Sequence, residues 1–288
     1  MKFLLRCCFF LLIMNNVQAQ KTDKKLERAL TELSSGFNGE IGFYVKNLRT
    51  GKTASFNADT IFPTASMVKI PILYGIMARI QEGTLRDTQQ LIYRDSLYYA
   101  GVDILGSFKQ DEKIELSKVI MLMLTMSDNT ASLWLQSLAG TGTKINALLA
   151  EKGFQHTRVN SRTEGRQGDW RLYGWGQTTP KEMANLMELI VNQQLVSDSL
   201  DSRMLRLLGR NYFDHVAISQ IPSHVFVASK NGAVNASRSE VLYVNAGRNP
   251  YIFCVTTKNN RDVRWTNDNE AWVLTRKISR HLWEYFGE

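Results

Sequence analysis

Strand-like and helix-like patterns occupy different parts of this 288-residue chain. Runs typical of β-strands lie at 40–56 and again at 224–257. Between them, from Ser66 to about Val196, apolar residues recur mostly at helical spacing, and 116–126 is apolar nearly all round, as in a buried helix. This order predicts an α/β (α+β) fold, in which an antiparallel sheet of about five strands from both chain ends carries an inserted all-helical domain.

Terminal helices are expected to flank the sheet. Leucines recur at helical spacing in 21–33, and 269–285 is amphipathic. The sequence therefore predicts a sheet domain formed by 20–60 and 222–288 and a helical domain formed by 61–221. A site is expected in the cleft between them, where ligand sites are common.

The first 19 residues have the pattern of a secretory signal peptide. Met1–Arg6 is short and basic, Cys7–Met14 is apolar but too short to span a membrane, and Val17-Gln18-Ala19 has the small residues of a cleavage site. We expect cleavage after Ala19 and a secreted, periplasmic protein. The alternative is an uncleaved membrane anchor, but the apolar run is short for that role.

Composition argues against several kinds of ligand and partner. Removal of the first 19 residues would lower the formal net charge from +8 to +6 and leave Cys254 as the one cysteine, without an intramolecular disulfide. The basic residues are scattered, so no nucleic-acid partner is expected. The four histidines lack metal-ligand spacing, and no second apolar stretch could span a membrane. We expect a monomer that acts on a small molecule without metal or cofactor.

Ser66 and Lys69 are three residues apart at an expected helix start. On one helical face their Cβ atoms would lie about 5–6 Å apart. A serine hydroxyl needs a base to become a nucleophile, and a desolvated lysine can serve as one. Backbone N–H groups at a helix start can bind an oxyanion. By itself the spacing also fits a capped helix with a surface lysine.

Two further triplets could complete such a site. In Ser127-Asp128-Asn129, the serine could relay a proton and Asn129 could hold a substrate amide, although a capped helix terminus would have the same composition. In Lys230-Asn231-Gly232, the lysine would bring positive charge and the glycine would allow close approach to the backbone. A strand that ends in a turn explains that triplet equally well.

Arg238 and Glu164 are weaker candidates. Arg238 follows Lys230 by eight residues, so a short turn between two strands would bring the two cations together to bind an anionic group such as a carboxylate. Glu164 lies in the irregular segment 160–177. It would act as a general base only if that segment folds over the cleft, and would otherwise be a solvated carboxylate.

The order of these motifs resembles that of the class A β-lactamases and the penicillin-binding serine hydrolases. The resemblance covers about 40–286. It extends to further short segments, which are Phe62-Pro63-x-x-Ser66, Met126–Ala131, Thr178-Thr179-Pro180-x-x-Met183-Ala184 and Ser237-Arg238.

The resemblance implies roles in an acyl-enzyme reaction. Ser66 would be the acylated nucleophile, and Lys69 would accept its proton, alone or together with Glu164 acting through a water. Ser127 would deliver a proton to the β-lactam nitrogen. The loop glutamate would be the base for deacylation.

It also implies binding roles. Asn129 would hold the acylamide side chain, and Lys230 and Arg238 would bind the carboxylate. The backbone N–H groups of Ser66 and Ala233 would form the oxyanion hole.

The chain departs from the family pattern at several positions. Asn231 stands where the third motif usually has Thr or Ser, and Gly168 replaces an asparagine that helps to hold the deacylating water. Gly176 replaces an aspartate that normally pairs with the loop arginine, which leaves Arg162 with Asp169 as a candidate substitute partner. Acylation is therefore better supported than deacylation.

Three functions remain open at this point. The leading hypothesis is a secreted class A-type hydrolase that opens β-lactams through a Ser66 acyl-enzyme and then hydrolyses it. The alternative, favoured by Gly168 and Asn231, is an acyl-serine hydrolase of a peptidoglycan peptide, amide or ester with poor β-lactam turnover. The third is a non-catalytic envelope-binding scaffold, which would not need Ser66, Lys69 and Ser127 together.

Overall fold

The computed structural model describes residues 21–287, so the expected signal peptide lies outside the described residues. In chain order the strands are β1 Glu40–Asn47, β2 Thr53–Phe56, β3 Phe62–Pro63, β4 Gln90–Ile92, β5 Lys113–Glu115, β6 Arg158–Val159, β7 Gly176–Thr178, β8 Val227–Val234, β9 Ser237–Val244 and β10 Tyr251–Lys258. The helices are α1 Lys24–Ser34, α2 Lys69–Gln81, α3 Leu116–Thr125, α4 Asn129–Leu138, α5 Thr141–Glu151, α6 Gln167–Tyr173, α7 Pro180–Val191, α8 Asp198–Leu208 and α9 Glu270–Phe286.

The main sheet takes strands from both parts of the chain, which confirms the predicted fold class. Its order is β2-β1-β10-β9-β8, and each neighbouring pair is antiparallel. The predicted hairpin at 40–56 is present as β1 and β2. Strand β8 lies at the edge of the sheet and contacts the 3₁₀ turn at Ala65–Val68.

Helices cover both faces of the sheet. Alternate residues of β9 and β10 point to opposite faces because the side-chain period of a strand is two. Val241 and Cys254 pack into the core shared with the helical region, whereas Leu242 and Phe253 pack into the core that contains residues of α1 and α9. The sheet is therefore the middle layer between the two sets of helices, and Cys254 is buried as predicted.

The central helix of the helical region is α2 rather than α3. All residues from Lys69 to Ala78 are buried, whereas Met121 in α3 is 44% exposed. The helix α3 therefore has one buried face. The prediction that it is buried all round, made from its apolar composition, is wrong. Pro71 lies in the first turn of α2, where a missing backbone N–H costs little.

The segment predicted to be irregular, 160–177, contains the short helix α6. The backbone N–H of Trp170 donates to the carbonyl of Arg166, and that of Gly174 donates to the carbonyl of Trp170. Within residues 21–287 no helix combines the length and apolar character needed to cross a bilayer. The exact domain boundaries at 60/61 and 221/222 stay a prediction.

Candidate active site

Ser66 lies in a tight turn at the start of α2. A 3₁₀ turn over Ala65–Val68 runs directly into this helix, as the spacing predicted. Ala65 has a φ of 44°, a left-handed conformation that is strained for a residue with a side chain. Ser127 has a φ of 57°. Strain of this kind concentrates at functional sites, where the surrounding structure must hold it in place.

Lys69 joins the first two motifs. Its side chain is fully buried, and its Nζ lies 3.0 Å from Ser66 Oγ, 2.6 and 3.0 Å from the carbonyl and hydroxyl oxygens of Ser127, and 3.1 Å from Asn129 Oδ1. Burial lowers the pKa of Lys69 well below its ordinary value, and the positive charge of Lys230 lowers it further. A neutral amine can therefore accept the proton of the Ser66 hydroxyl.

Asp128 explains how the second motif is held. Its carboxylate caps α4 by accepting from Ala131 N at 2.7 Å, and it also accepts from Ile104 N at 2.6 Å and Leu105 N at 3.0 Å. The capping alternative raised for this triplet is therefore correct for Asp128 alone. The residues on either side of it turn their side chains to Lys69 instead.

The third motif lies against the Ser66 turn. Strand β8 pairs Gly232 with Ser239, whose hydroxyl donates to Thr64 O at 3.1 Å. A Cβ placed on Gly232 would lie 2.9 Å from Ser66 N and would also clash with the Thr64 carbonyl. Only glycine fits this contact. Ala233 follows directly, and the oxyanion-hole role of its N–H stays a prediction.

Lys230 is fully buried beside this contact. Its Nζ donates to the backbone and side-chain oxygens of Asn231, each at 3.2 Å. Burial lowers the pKa of Lys230 to about 7, and the negative charge of Glu240 opposes that shift. The side chain of Asn231 thus accepts from the lysine, an arrangement open to an amide and to a hydroxyl alike.

Glu240 was missed by sequence reasoning. It is buried on β9 opposite Asn231 and accepts from Ser229 Oγ at 3.1 Å and Ala217 N at 3.2 Å. Burial raises the pKa of Glu240 to about 7. Asn211 Nδ2 links Ser229 Oγ and Asn231 Oδ1 at 2.9 and 3.4 Å. The one signal in the sequence was a charged residue directly before the apolar run Val241–Val244.

Arg238 does not lie beside Lys230, contrary to the expectation. The register pairs Arg238 with Ala233, three residues beyond the lysine, so the two cations point to opposite faces of the sheet. Arg238 is buried on the face covered by α9, where its guanidinium stacks on Trp265 and Trp272. Its position gives no support to a carboxylate-binding role.

Glu164 lies on a cavity that borders the one containing Ser66. The residue is exposed and lines this cavity, of about 370 Å³, together with Leu133 and Gln167. The rings of Tyr99 and Trp175, packed edge-on with centroids 5.1 Å apart, line both this cavity and the one that contains Ser66. Glu164 itself does not line the cavity of Ser66, and its catalytic role stays a prediction.

The loop is held by Arg166 rather than Arg162. Arg166 donates to Asn160 Oδ1 at 2.6 Å and Gln177 Oε1 at 2.9 Å, and pairs with Asp169 at 3.0 Å. The suggested pair between Arg162 and Asp169 is therefore wrong. Polar residues at both ends of the segment fix its path.

Gly176 and Gly168, which replace an aspartate and an asparagine of the family pattern, have different surroundings. A Cβ on Gly176 would lie 2.6 Å from Val68 Cγ2 and 2.7 Å from Thr64 Oγ1, so an aspartate would not fit beside the Ser66 turn. A Cβ on Gly168 would meet no atom within 4 Å. Packing explains Gly176, and nothing in the structure explains Gly168.

The site opens into a cavity of about 920 Å³. Lys69 and Lys230 lie buried behind its surface. Predicted site residues on its lining are Ser66, Ser127, Asn129, Asn231, Gly232 and Ala233, and aromatic residues on it are Tyr99, Trp170, Tyr173, Trp175, Phe213, Trp265 and Trp272. In the described part of the chain, no group of three or more His, Cys, Asp or Glu side chains could hold a metal ion.

Replacing Asp128 with alanine should strongly destabilise the protein. Three backbone N–H groups would lose their acceptor, and we expect a loss of about 3 kcal/mol in the free energy of unfolding. Urea denaturation measures this loss. Asp214→Ala, at an exposed position, should change stability by less than about 0.5 kcal/mol. Equal effects of the two substitutions would contradict the role given to Asp128.

Comparison with known proteins identifies the family of this chain. The model of the "Beta-lactamase enzyme family" matches residues 25–286. The β-lactamase VEB-1 of Pseudomonas aeruginosa is 21% identical over 290 aligned residues, which cover 96% of this chain and 94% of VEB-1.

Solved structures share the fold. PBP-A superposes with a TM-score of 0.82 at 24% identity, covering 93% of this chain and 97% of PBP-A. A PBP-A variant solved as an acyl-enzyme complex with penicillin G gives the same score and identity. A β-lactamase from Sphaerobacter thermophilus gives 0.79 at 18% identity, covering 91% and 96% of the two chains. Because the family model spans nearly all the described residues, this chain belongs to the β-lactamase enzyme family and is a β-lactamase-like serine hydrolase.

Proposed function

We propose that this protein is acylated at Ser66 by β-lactams and by related amides or esters, and that it releases the acyl group slowly. The observation that carries the proposal is the position of Lys69 Nζ, 3.0 Å from the hydroxyl oxygens of both Ser66 and Ser127. One buried amine can therefore take a proton from the nucleophile and return it through the second serine.

Acylation follows from these contacts. The neutral amine of Lys69 accepts the proton of Ser66 Oγ, which attacks the carbonyl carbon of the substrate. The negative charge on the carbonyl oxygen is stabilised by the N–H groups of Ser66 and Ala233. When the C–N bond breaks, the Ser127 hydroxyl protonates the leaving nitrogen and regains a proton from the Lys69 ammonium.

Binding would use the groups around this centre. Asn129 is half-buried and lines the cavity, where its amide can meet the acylamide group of a substrate. Lys230 would supply the positive charge for a carboxylate without Arg238, whose guanidinium is turned away. Glu240 counters part of that charge, so we expect a weaker preference for carboxylates than two cations would give.

Deacylation has less support. Among the described residues that line the cavity of Ser66 there is no aspartate or glutamate. Glu164 lies on the neighbouring cavity, which shares Tyr99, Trp170 and Trp175 with the cavity of Ser66. Without a carboxylate to activate water, hydrolysis of the acyl-enzyme should be slow. This favours the acyl-serine hydrolase with poor β-lactam turnover over an efficient β-lactamase.

We further propose that residues 1–19 direct export to the periplasm and are removed. The proposal rests on the basic start, the short apolar run and the Val17-Gln18-Ala19 site. Protein recovered from the cell envelope should then begin at Gln20. Recovery with Met1 retained would contradict it.

Ser66→Ala should abolish covalent labelling by benzylpenicillin. Intact mass measured after mixing should show one added penicillin on the native protein and none on the variant. Ser237→Ala, which alters another serine of the same cavity, is the matched control and should still be labelled. An adduct on the Ser66→Ala protein would refute the assignment of the nucleophile.

Glu164→Gln should leave the lifetime of the adduct unchanged, because this carboxylate does not reach the cavity of Ser66. Loss of a true general base would lengthen the lifetime by about 100-fold or more. The decay of the adduct mass measures the lifetime, with Glu112→Gln as an exposed control. A large increase confined to Glu164→Gln would restore this residue as the deacylating base.

The acylation rate should reach its maximum at a pH well below the ordinary lysine pKa. The neutral form of Lys69 is the active one, so the rate rises as pH increases through its lowered pKa and then levels off. Rates measured by quenched labelling between about pH 5 and 9 should reach that plateau. A rate that rises only near the ordinary lysine pKa of about 10.4 would contradict the role of Lys69.

A further inference from the structure

The buried Arg238 side chain fixes a loop at one end of the cleft. Its guanidinium donates to the carbonyls of Asn235 and Ser237, at 2.8 and 2.9 Å, in the connection before and at the start of β9. It also donates to the carbonyls of Val263 and Arg264, at 3.3 and 3.0 Å, in the loop between β10 and α9. One buried cation therefore ties the two segments together.

The same side chain supports Trp265. The Arg238 guanidinium lies 4.5 Å from the centre of the Trp265 ring and 5.0 Å from that of Trp272, and the two rings pack edge-on at 6.1 Å. Trp265 is nevertheless 64% exposed and lines the cavity of Ser66. A fixed aromatic ring with an accessible surface loses little freedom when a ligand stacks on it.

Two asparagines line the same cavity near this ring. Asn235 belongs to the turn that Arg238 holds, and Asn267 follows Trp265 by two residues. Neither side-chain amide forms a hydrogen bond to another residue among 21–287. Each amide can both donate and accept. Both residues are exposed to water. A purely apolar ligand that covered these amides would leave them without partners, whereas a ligand with hydroxyl or amide groups would satisfy them.

The cations at this end already have hydrogen-bond or ion-pair partners. Arg264 pairs with Asp262 at 2.9 Å and with Asp268 at 2.8 Å. The guanidinium of Arg238 is committed to four carbonyls, and Lys258 pairs with Glu40 at 3.3 Å. A neutral ligand fits these surroundings better than an ion.

We propose that this end of the cleft is a sugar-binding subsite, in which Trp265 stacks on a sugar ring and Asn235 and Asn267 hydrogen-bond its hydroxyl or acetamido groups. The C–H groups on the face of a sugar ring are attracted to the negative face of an indole. The inference rests on the proposed function, because the sugar would be part of the substrate that acylates Ser66.

The test is binding of a neutral trimer of N-acetylglucosamine, measured by calorimetry with the native protein. We expect saturable binding, weakened about tenfold or more by Trp265→Ala. Trp170→Ala, an exposed tryptophan on the same cavity, is the control and should bind as the native protein does. The double variant Asn235→Ala/Asn267→Ala keeps the Arg238 contacts to Trp265 and should also bind about tenfold or more weakly.

The absence of trimer binding to the native protein would overturn the proposed subsite. Equal losses of trimer affinity in the Trp265→Ala and Trp170→Ala variants would also overturn it. Stronger binding of the neutral aromatic probe N-acetylphenylalaninamide than of the trimer would overturn it as well. Labelling by penicillin separates the two proposals. Labelling without sugar binding would refute the subsite alone, whereas sugar binding without labelling would refute the proposed acyl-enzyme and support the subsite.

Discussion

The buried amine of Lys69 is the interaction on which the site depends. Its Nζ contacts oxygens from the turn before α2 and from the Ser127–Asn129 segment before and at the start of α4. Burying an ammonium is costly, so burial and the neighbouring Lys230 favour its neutral form. The fold supplies what that amine needs. The buried α2 carries it, Asp128 holds the second segment, and the edge strand β8 closes the site at Gly232.

Acylation and deacylation depend on different parts of the molecule. Ser66 lies in the turn before α2, Lys69 on α2 and Ser127 just before α4, and all three are held by the packed core. The residue expected to serve deacylation, Glu164, lies on a loop whose path is fixed by Arg166, Asn160 and Gln177. That path leaves Glu164 off the lining of the cavity that contains Ser66. We therefore expect efficient acylation of Ser66 and slow deacylation in the same protein.

Much of the fold and of the acylating centre could be predicted, because both are encoded by local patterns in the sequence. Strand signals at the two chain ends predicted the sheet, and Ser66, Lys69 and Ser127 were recognisable from short motifs. Errors arose where contacts between residues distant in sequence decide the outcome. Arg238 points to the opposite face because the turn before β9 pairs it with Ala233. Glu240 gave no motif, since its partners come from Ala217 and Ser229, which are distant in sequence.

The most direct test counts the β-lactam rings opened by each protein molecule. Loss of penicillin absorbance, followed after mixing with excess penicillin, should show a rapid burst of about one ring per protein and then a much slower phase. That result is expected if Ser66 and Lys69 are competent and no carboxylate reaches the acyl group. Sustained fast opening without a burst would contradict the account, because it would require efficient hydrolysis of the acyl-enzyme.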